Sequence, residues 1–225
     1  MATYWEATEA ERIVTAQRAK GGLFLVGLVG VPGSGKTASA QLLAREVRKH
    51  VPCEVLPMDG FHFYRRELDQ FPDPQLAYFR RGAHFTFNSE ALLRKLQILR
   101  SGQLTLFPSF SHSTGDPVED SISLDPAHTT VVILEGLYLF LEVEHWRDIR
   151  SLLDYRLFLE ASLDEAMERT FARNARCLPY PPEVVRERIE KNDRVNGELV
   201  ETTKQYADTI VQFYLKPMEQ LAGLE

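Results

Sequence analysis

Apolar residues fall in short unbroken runs, separated by longer stretches with a three-to-four-residue repeat. Residues 23–29 and 129–134 are runs of strand length, continuous rather than alternating, and predict strands buried on both faces. Shorter runs at 54–58, 155–159 and 207–211 predict three more strands. Between them the pattern turns helical. Residues 3–19 carry Trp5, Ile13 and Val14, and Gly21-Gly22 ends them; residues 36–50 put Ala40, Leu43 and Val47 on one face, and Pro52 stops them. Asn88 or Ser89 caps a helix bearing Leu92, Leu93, Leu96 and Leu99, ended by Gly102. Ser162-Leu163-Asp164-Glu165 is a capping box for a further helix, which Pro179, Pro181 and Pro182 break and 183–191 resume. A C-terminal helix is predicted after the last strand. Residues 65–83 are irregular around Pro72 and Pro74, and 103–125 read as a long connection rich in Pro, Ser, His and Asp. Strands alternating with helices predict an α/β protein with a mostly parallel sheet covered on both faces.

Length, 225 residues, allows one large domain or two small ones, and 44% hydrophobic residues suffice for a core. A net charge of −6 argues against non-specific nucleic-acid binding. Cys53 and Cys177 suggest neither a disulfide framework nor a metal site and suit a cytoplasmic protein. No apolar run is long enough to span a membrane, and the acidic, amphipathic N-terminus does not read as a secretory signal.

The chemistry concentrates where strands end. Gly30-Val31-Pro32-Gly33-Ser34-Gly35-Lys36-Thr37 fits G-x-x-x-x-G-K-[ST], between a strand and a helix, which is the setting a phosphate-binding P-loop requires. Its glycines let backbone N–H groups wrap a phosphate, and the helix N-terminus adds positive potential at the same point. Lys36 is expected to reach the β- and γ-phosphates, and Thr37 to hold Mg²⁺. Asp59 follows the second strand, where a carboxylate can orient an acceptor hydroxyl and take its proton; Asp-Gly is also a common turn pair. Glu135 ends the strand at 129–134, where an acid can hold Mg²⁺ directly or through water, or else cap the next helix.

Arg169, Arg173 and Arg176 share one helix face, a repulsive arrangement that a polyphosphate would relieve and that Glu165 and Glu168 also partly neutralise. Arg173 lies just before the Pro-rich break, where a lid hinge would be useful. Phe61, His62, Arg81 and His84 belong to an aromatic and basic stretch suited to an anionic or ring-bearing substrate, or to a partly buried aromatic cluster. His112 in the long connection is a weaker substrate candidate. Asn192-Asp193 with Asn196-Gly197 reads as a turn or as a segment near the nucleotide base.

Gly30 to Thr37, Met58-Asp59-Gly60-Phe61-His62, Arg81 to Phe87, Pro108 to His112 and Leu134-Glu135-Gly136-Leu137-Tyr138 together resemble the phosphoribulokinase/uridine kinase family of P-loop kinases. The resemblance covers nearly everything after Gly22. It implies a three-layer P-loop fold: a five-stranded parallel sheet of order 2-3-1-4-5, flanked by helices and closed by a lid. It implies that Asp59 is the general base, Glu135 the magnesium-side acid and Arg173 a lid arginine, with Tyr138 among the substrate contacts. The family often has Asp where this chain has Asn88 and Ser111. The latter replaces a carboxylate near the nucleoside in uridine kinases, so the acceptor is not inherited with the family.

The expectation is one kinase domain over 1–225, with its lid near 169–182 and working as a monomer or homodimer. It would transfer the γ-phosphoryl group of ATP, with Mg²⁺, to a hydroxyl of a small metabolite of the nucleoside, pantothenate, sugar or glycerate class. The alternative is a P-loop NTPase or nucleotide-binding regulator with no small-molecule acceptor.

Overall fold

The computed structural model describes residues 4–111, 113–177 and 179–214. The chain opens with α1 (Trp5–Lys20), β1 (Phe24–Val29), α2 (Lys36–Val47) and β2 (Cys53–Pro57). Two short helices, α3 (Arg65–Leu68) and α4 (Pro74–Phe79), precede α5 (Ser89–Arg100) and the strands β3 (Thr105–Ser111), β4 (Asp116–Leu124) and β5 (Val131–Gly136). Then come α6 (Trp146–Leu152), β6 (Tyr155–Glu160), α7 (Leu163–Cys177), α8 (Pro182–Arg188), α9 (Arg194–Glu201) and β7 (Thr209–Gln212).

Five strands form one parallel sheet in the order β2-β5-β1-β6-β7. Counting only its own strands, that is the 2-3-1-4-5 order the resemblance implied. The central strands β1 and β5 are buried along their whole length, hence their continuous apolar runs. Side chains alternate between the two faces. Phe24, Val26, Leu28, Val131 and Ile133 pack under α1 and α2 with Ile13, Ala40 and Leu43. Leu25, Val29, Val132 and Leu134 face α5 and α6 with Leu92, Leu96, Trp146 and Ile149.

The sequence expectation for 103–125 is corrected: β3 and β4 form an antiparallel hairpin in this stretch. Pro108 and the serines hide it, because Pro cannot donate to a ladder and the register shifts between Phe107 and Ser109. The segment 192–197 is no turn either, since a π-helical turn (Ile189–Asp193) runs straight into α9. The predicted C-terminal helix lies outside the described residues.

One polar node ties the layers at the sheet's amino-terminal edge. Asp154 accepts from the Leu25 N–H at 2.8 Å, from Arg100 at 2.6 and 2.8 Å, and from Lys20. Burial pushes its carboxyl up, but these donors outweigh burial and hold it below the usual carboxylate range. Asp154→Ala should therefore lower stability by about 2 kcal/mol, read as a lower urea midpoint at constant slope. Because the folded pKa lies below the unfolded one, the contribution is complete above the unfolded value. It fades as pH falls through the folded value, below about pH 4.

Candidate active site

Three strand ends meet above the sheet. The turn after β1 holds Gly30, Val31, Pro32, Gly33, Ser34 and Gly35, and Lys36 and Thr37 open α2. Gly33 and Gly35 take positive φ, 74° and 84°, which only glycine adopts freely. A Cβ on Gly33 would sit 2.2 Å from the Ala166 carbonyl oxygen, so the turn lies flush against α7. Ser34 Oγ is buried and lacks a hydrogen-bond partner among the described residues.

Lys36 Nζ donates to the Val31 carbonyl at 3.0 Å. Burial holds its ammonium below the ordinary range, with Glu135 and then Asp59 opposing that shift. The exposed Thr37 hydroxyl donates to Glu135 Oε1 at 2.9 Å. Glu135, only 7% exposed at the end of β5, is pushed up to about 7, first by burial and then by the charge on Asp59. The neighbouring Gly136 has no room for a side chain, since a Cβ would lie 2.6 Å from Met58 Cβ.

Asp59 sits half-buried in a 3₁₀ turn (Met58–Phe61) directly after β2. Three things fix that turn. Gly60 is pressed on the hairpin, where an added Cβ would meet the Pro108 carbonyl at 2.1 Å. His62 Nδ1 lies 2.8 Å from the Asp59 carbonyl; a carbonyl can only accept, so this nitrogen carries the proton. The His62 ring is held between Phe87 and Phe110, with centroids 3.9 and 4.7 Å away.

The other sequence candidates divide. Phe61 is a core residue, edge-on to Phe107. Arg81 is committed to Asp116 at 3.2 Å and to the Phe63 carbonyl at 3.1 Å, so it anchors the hairpin. Tyr138 is fully buried and donates to the Gly82 carbonyl at 2.6 Å. His84 packs edge-on to it, and burial, then Arg80, lowers the imidazole pKa. His112 lies outside the described residues. Arg169 Nε donates to the Gly33 carbonyl at 3.0 Å while its guanidinium rests on the Phe213 ring. Its Nη2 is buried without a hydrogen-bond partner among the described residues. Arg173 is exposed, bonded to its neighbour Asn174, and its charge is felt at Lys36 and Asp193.

Sequence reasoning missed Phe213, which also touches the space over Gly35. It forms, with Asp164, Glu165, Glu168, Arg169 and Arg194, an open groove of about 650 Å³ beside the loop. No signal marks it, since it merely follows the last strand. The sequence sets Asn192 near Asn196, but it does not show their partner, Arg80 in a distant segment. Among the described residues no cluster of three or more His, Cys, Asp or Glu suits a metal ion, and no helix is long and apolar enough to cross a membrane.

Fold and loop together place the chain among the P-loop kinases. The chain belongs to the phosphoribulokinase/uridine kinase family, which residues 25–217 match. It is 35% identical over 195 residues to the Schizosaccharomyces pombe protein named "Putative uridine kinase C227.14", covering 84% of this chain and 82% of that one. It is 32% identical over 194 residues to the ATP-dependent kinase YFH7 of Saccharomyces cerevisiae, covering 71% of this chain and 55% of that one, so it spans about half of that relative's length. The crystal structure of S. cerevisiae YFH7 superposes with a TM-score of 0.81 at 20% identity, covering 94% of this chain and 99% of that one, a likeness of fold.

Proposed function

We propose that this protein is an ATP-dependent kinase that moves the γ-phosphoryl group of Mg·ATP onto a hydroxyl of a small metabolite. The observation that carries this is the meeting of Lys36, Thr37, Glu135 and Asp59, from three strand ends, in mutual electrostatic and hydrogen-bonding reach. The buried, partnerless Ser34 Oγ and Arg169 Nη2 beside the loop support a ligand there.

The loop amides and Lys36 cradle the phosphates. Thr37 and Glu135, with the charge of Asp59 felt there, would fit a magnesium ion: the Thr37 hydroxyl meets Glu135, whose carboxyl is pushed up to about 7 by burial and then by Asp59, a cost that a cation would relieve. When bound, Mg²⁺ neutralises phosphate charge and orients the terminal phosphoryl group. Asp59 accepts the proton of the acceptor hydroxyl as the new O–P bond forms and the bond to the ADP oxygen breaks. The nucleotide base lies along the groove at Phe213 and Arg169. We read the chain as one domain, with the end of α7 and the residues to Pro182 as a lid whose arginines, Arg173 first, balance transition-state charge and keep water out.

The test is ADP release from Mg·ATP with and without a panel of alcohols. Stimulation by one alcohol class, with a phosphorylated alcohol as product, is expected. ADP release that no alcohol stimulates would establish a plain nucleotidase instead.

A further inference from the structure

Arg80 caps the end of α4 and reaches across to the π-helical turn and α9. Its Nε donates to Asn192 Oδ1 at 3.0 Å and its Nη2 to Asn196 Oδ1 at 3.1 Å. Both asparagines are buried, and their i, i+4 spacing along the continuous helical segment puts them on one side. They are themselves fixed: Asn192 Nδ2 donates to the Arg81 carbonyl at 3.0 Å, and Asn196 Nδ2 to Asn192 Oδ1 at 3.3 Å. The guanidinium is thus aimed by two rigid amides, and both are neutral.

Its charge is left uncompensated. Among the described residues no carboxylate comes within ion-pair distance of Arg80. Other half-buried arginines behave differently: Arg81 pairs with Asp116, Arg100 with Asp154 and Arg156 with Asp208. Holding a half-buried cation without a counter-ion costs free energy, which an incoming anion would return. The position suits such an anion. Tyr138 donates to the Gly82 carbonyl, two residues from Arg80, and its ring meets Phe87, which packs on His62 beside Asp59. It feels the charge of Arg80 and, opposing it, those of Asp193 and then Asp59, and His84 also feels Arg80.

We propose that the phosphoryl acceptor is an anionic alcohol, a hydroxy acid or a phosphate-bearing polyol, whose carboxylate or phosphate is received by Arg80 while its hydroxyl meets Asp59. This rests on the kinase reading and narrows it, because nucleosides and free sugars carry no such group. Asn192 and Asn196 are positioning residues, acting through Arg80.

The test compares matched acceptors in Mg·ATP-dependent ADP release: glycerate with glycerol, pantothenate with pantothenol, gluconate with glucitol, ribulose 5-phosphate with ribulose, and uridine alone. Carboxylate and phosphate members separate the two anion sources. The anionic member of at least one pair should lead in kcat/KM by roughly 10–100-fold, the range of a charge-assisted hydrogen bond. Asn192→Asp gives Arg80 an internal counter-ion with little change of shape, and Arg80→Gln removes the charge. Each should erase most of the preference through acceptor KM, with the KM for ATP unchanged. Thermal melts establish that both variants fold, and either alone suffices. Equal or reversed preference in every pair, preference retained in the folded variants, or an effect falling on ATP overturns the proposal. Stimulation by neutral alcohols only overturns it and leaves the kinase reading standing. No stimulation by any alcohol overturns both.

Discussion

Replacing Asp59 with Asn is expected to cut acceptor-dependent ADP formation by roughly 10²–10⁴-fold while Mg·ATP still binds. The substitution keeps the shape of the side chain and removes its ability to take a proton. The surrounding turn has little reason to move, since Gly60 and His62 hold its backbone through contacts the side chain does not make. The expected signature is therefore a fall in kcat with nucleotide affinity, read by calorimetry, nearly unchanged. It also lifts one negative charge from beside Glu135, whose carboxyl should then titrate lower. Full turnover by Asp59→Asn on the true acceptor would rule out the proton-accepting role.

Lys36→Met should lower turnover by about 10²–10³-fold and weaken nucleotide binding as well. Lys36 is enclosed at the loop, bonded to the Val31 carbonyl, and its charge is the one that opposes the raised pKa of Glu135. Methionine fills similar space without that charge. The phosphates lose their cation, and the Lys36 charge that Glu135 and Asp59 both act on is gone. Asp59→Asn thus separates chemistry from binding, whereas Lys36→Met affects both. Calorimetric titration of each variant with Mg·ATP distinguishes them, and wild-type affinity in Lys36→Met would contradict the assignment of that side chain to phosphate.

The parts legible in the sequence share one property: their cause is local. The loop is eight consecutive residues, and Gly33 and Gly35 supply the backbone freedom it needs. The inner strands announce themselves because burial on both faces demands an unbroken apolar run. Glu135 could be picked out because it directly follows such a run, and Asp59 because it directly follows the shorter run of the edge strand β2. What escaped is what depends on partners distant in sequence. The hairpin looked like a connection because Pro108 and its serines lack strand character, yet the covering of Gly60 and the stacking of Phe110 on His62 hold it there. Phe61, chosen for its aromatic ring, is consumed by the core, and Arg81, chosen for its charge, is spent on Asp116. The Arg80 arrangement joins residues more than a hundred positions apart, and no spacing rule foretells it.

The close seat of Gly33 on Ala166 and Thr170 has a mechanical meaning. The loop after β1 and the opening turns of α7 pack as one unit, joined by the Arg169 bond to the Gly33 carbonyl. On the kinase reading proposed above, a closing lid would pivot farther along, beyond Thr170. Grip and gate would then be uncoupled, and shutting the door need not disturb the hand that would hold the triphosphate.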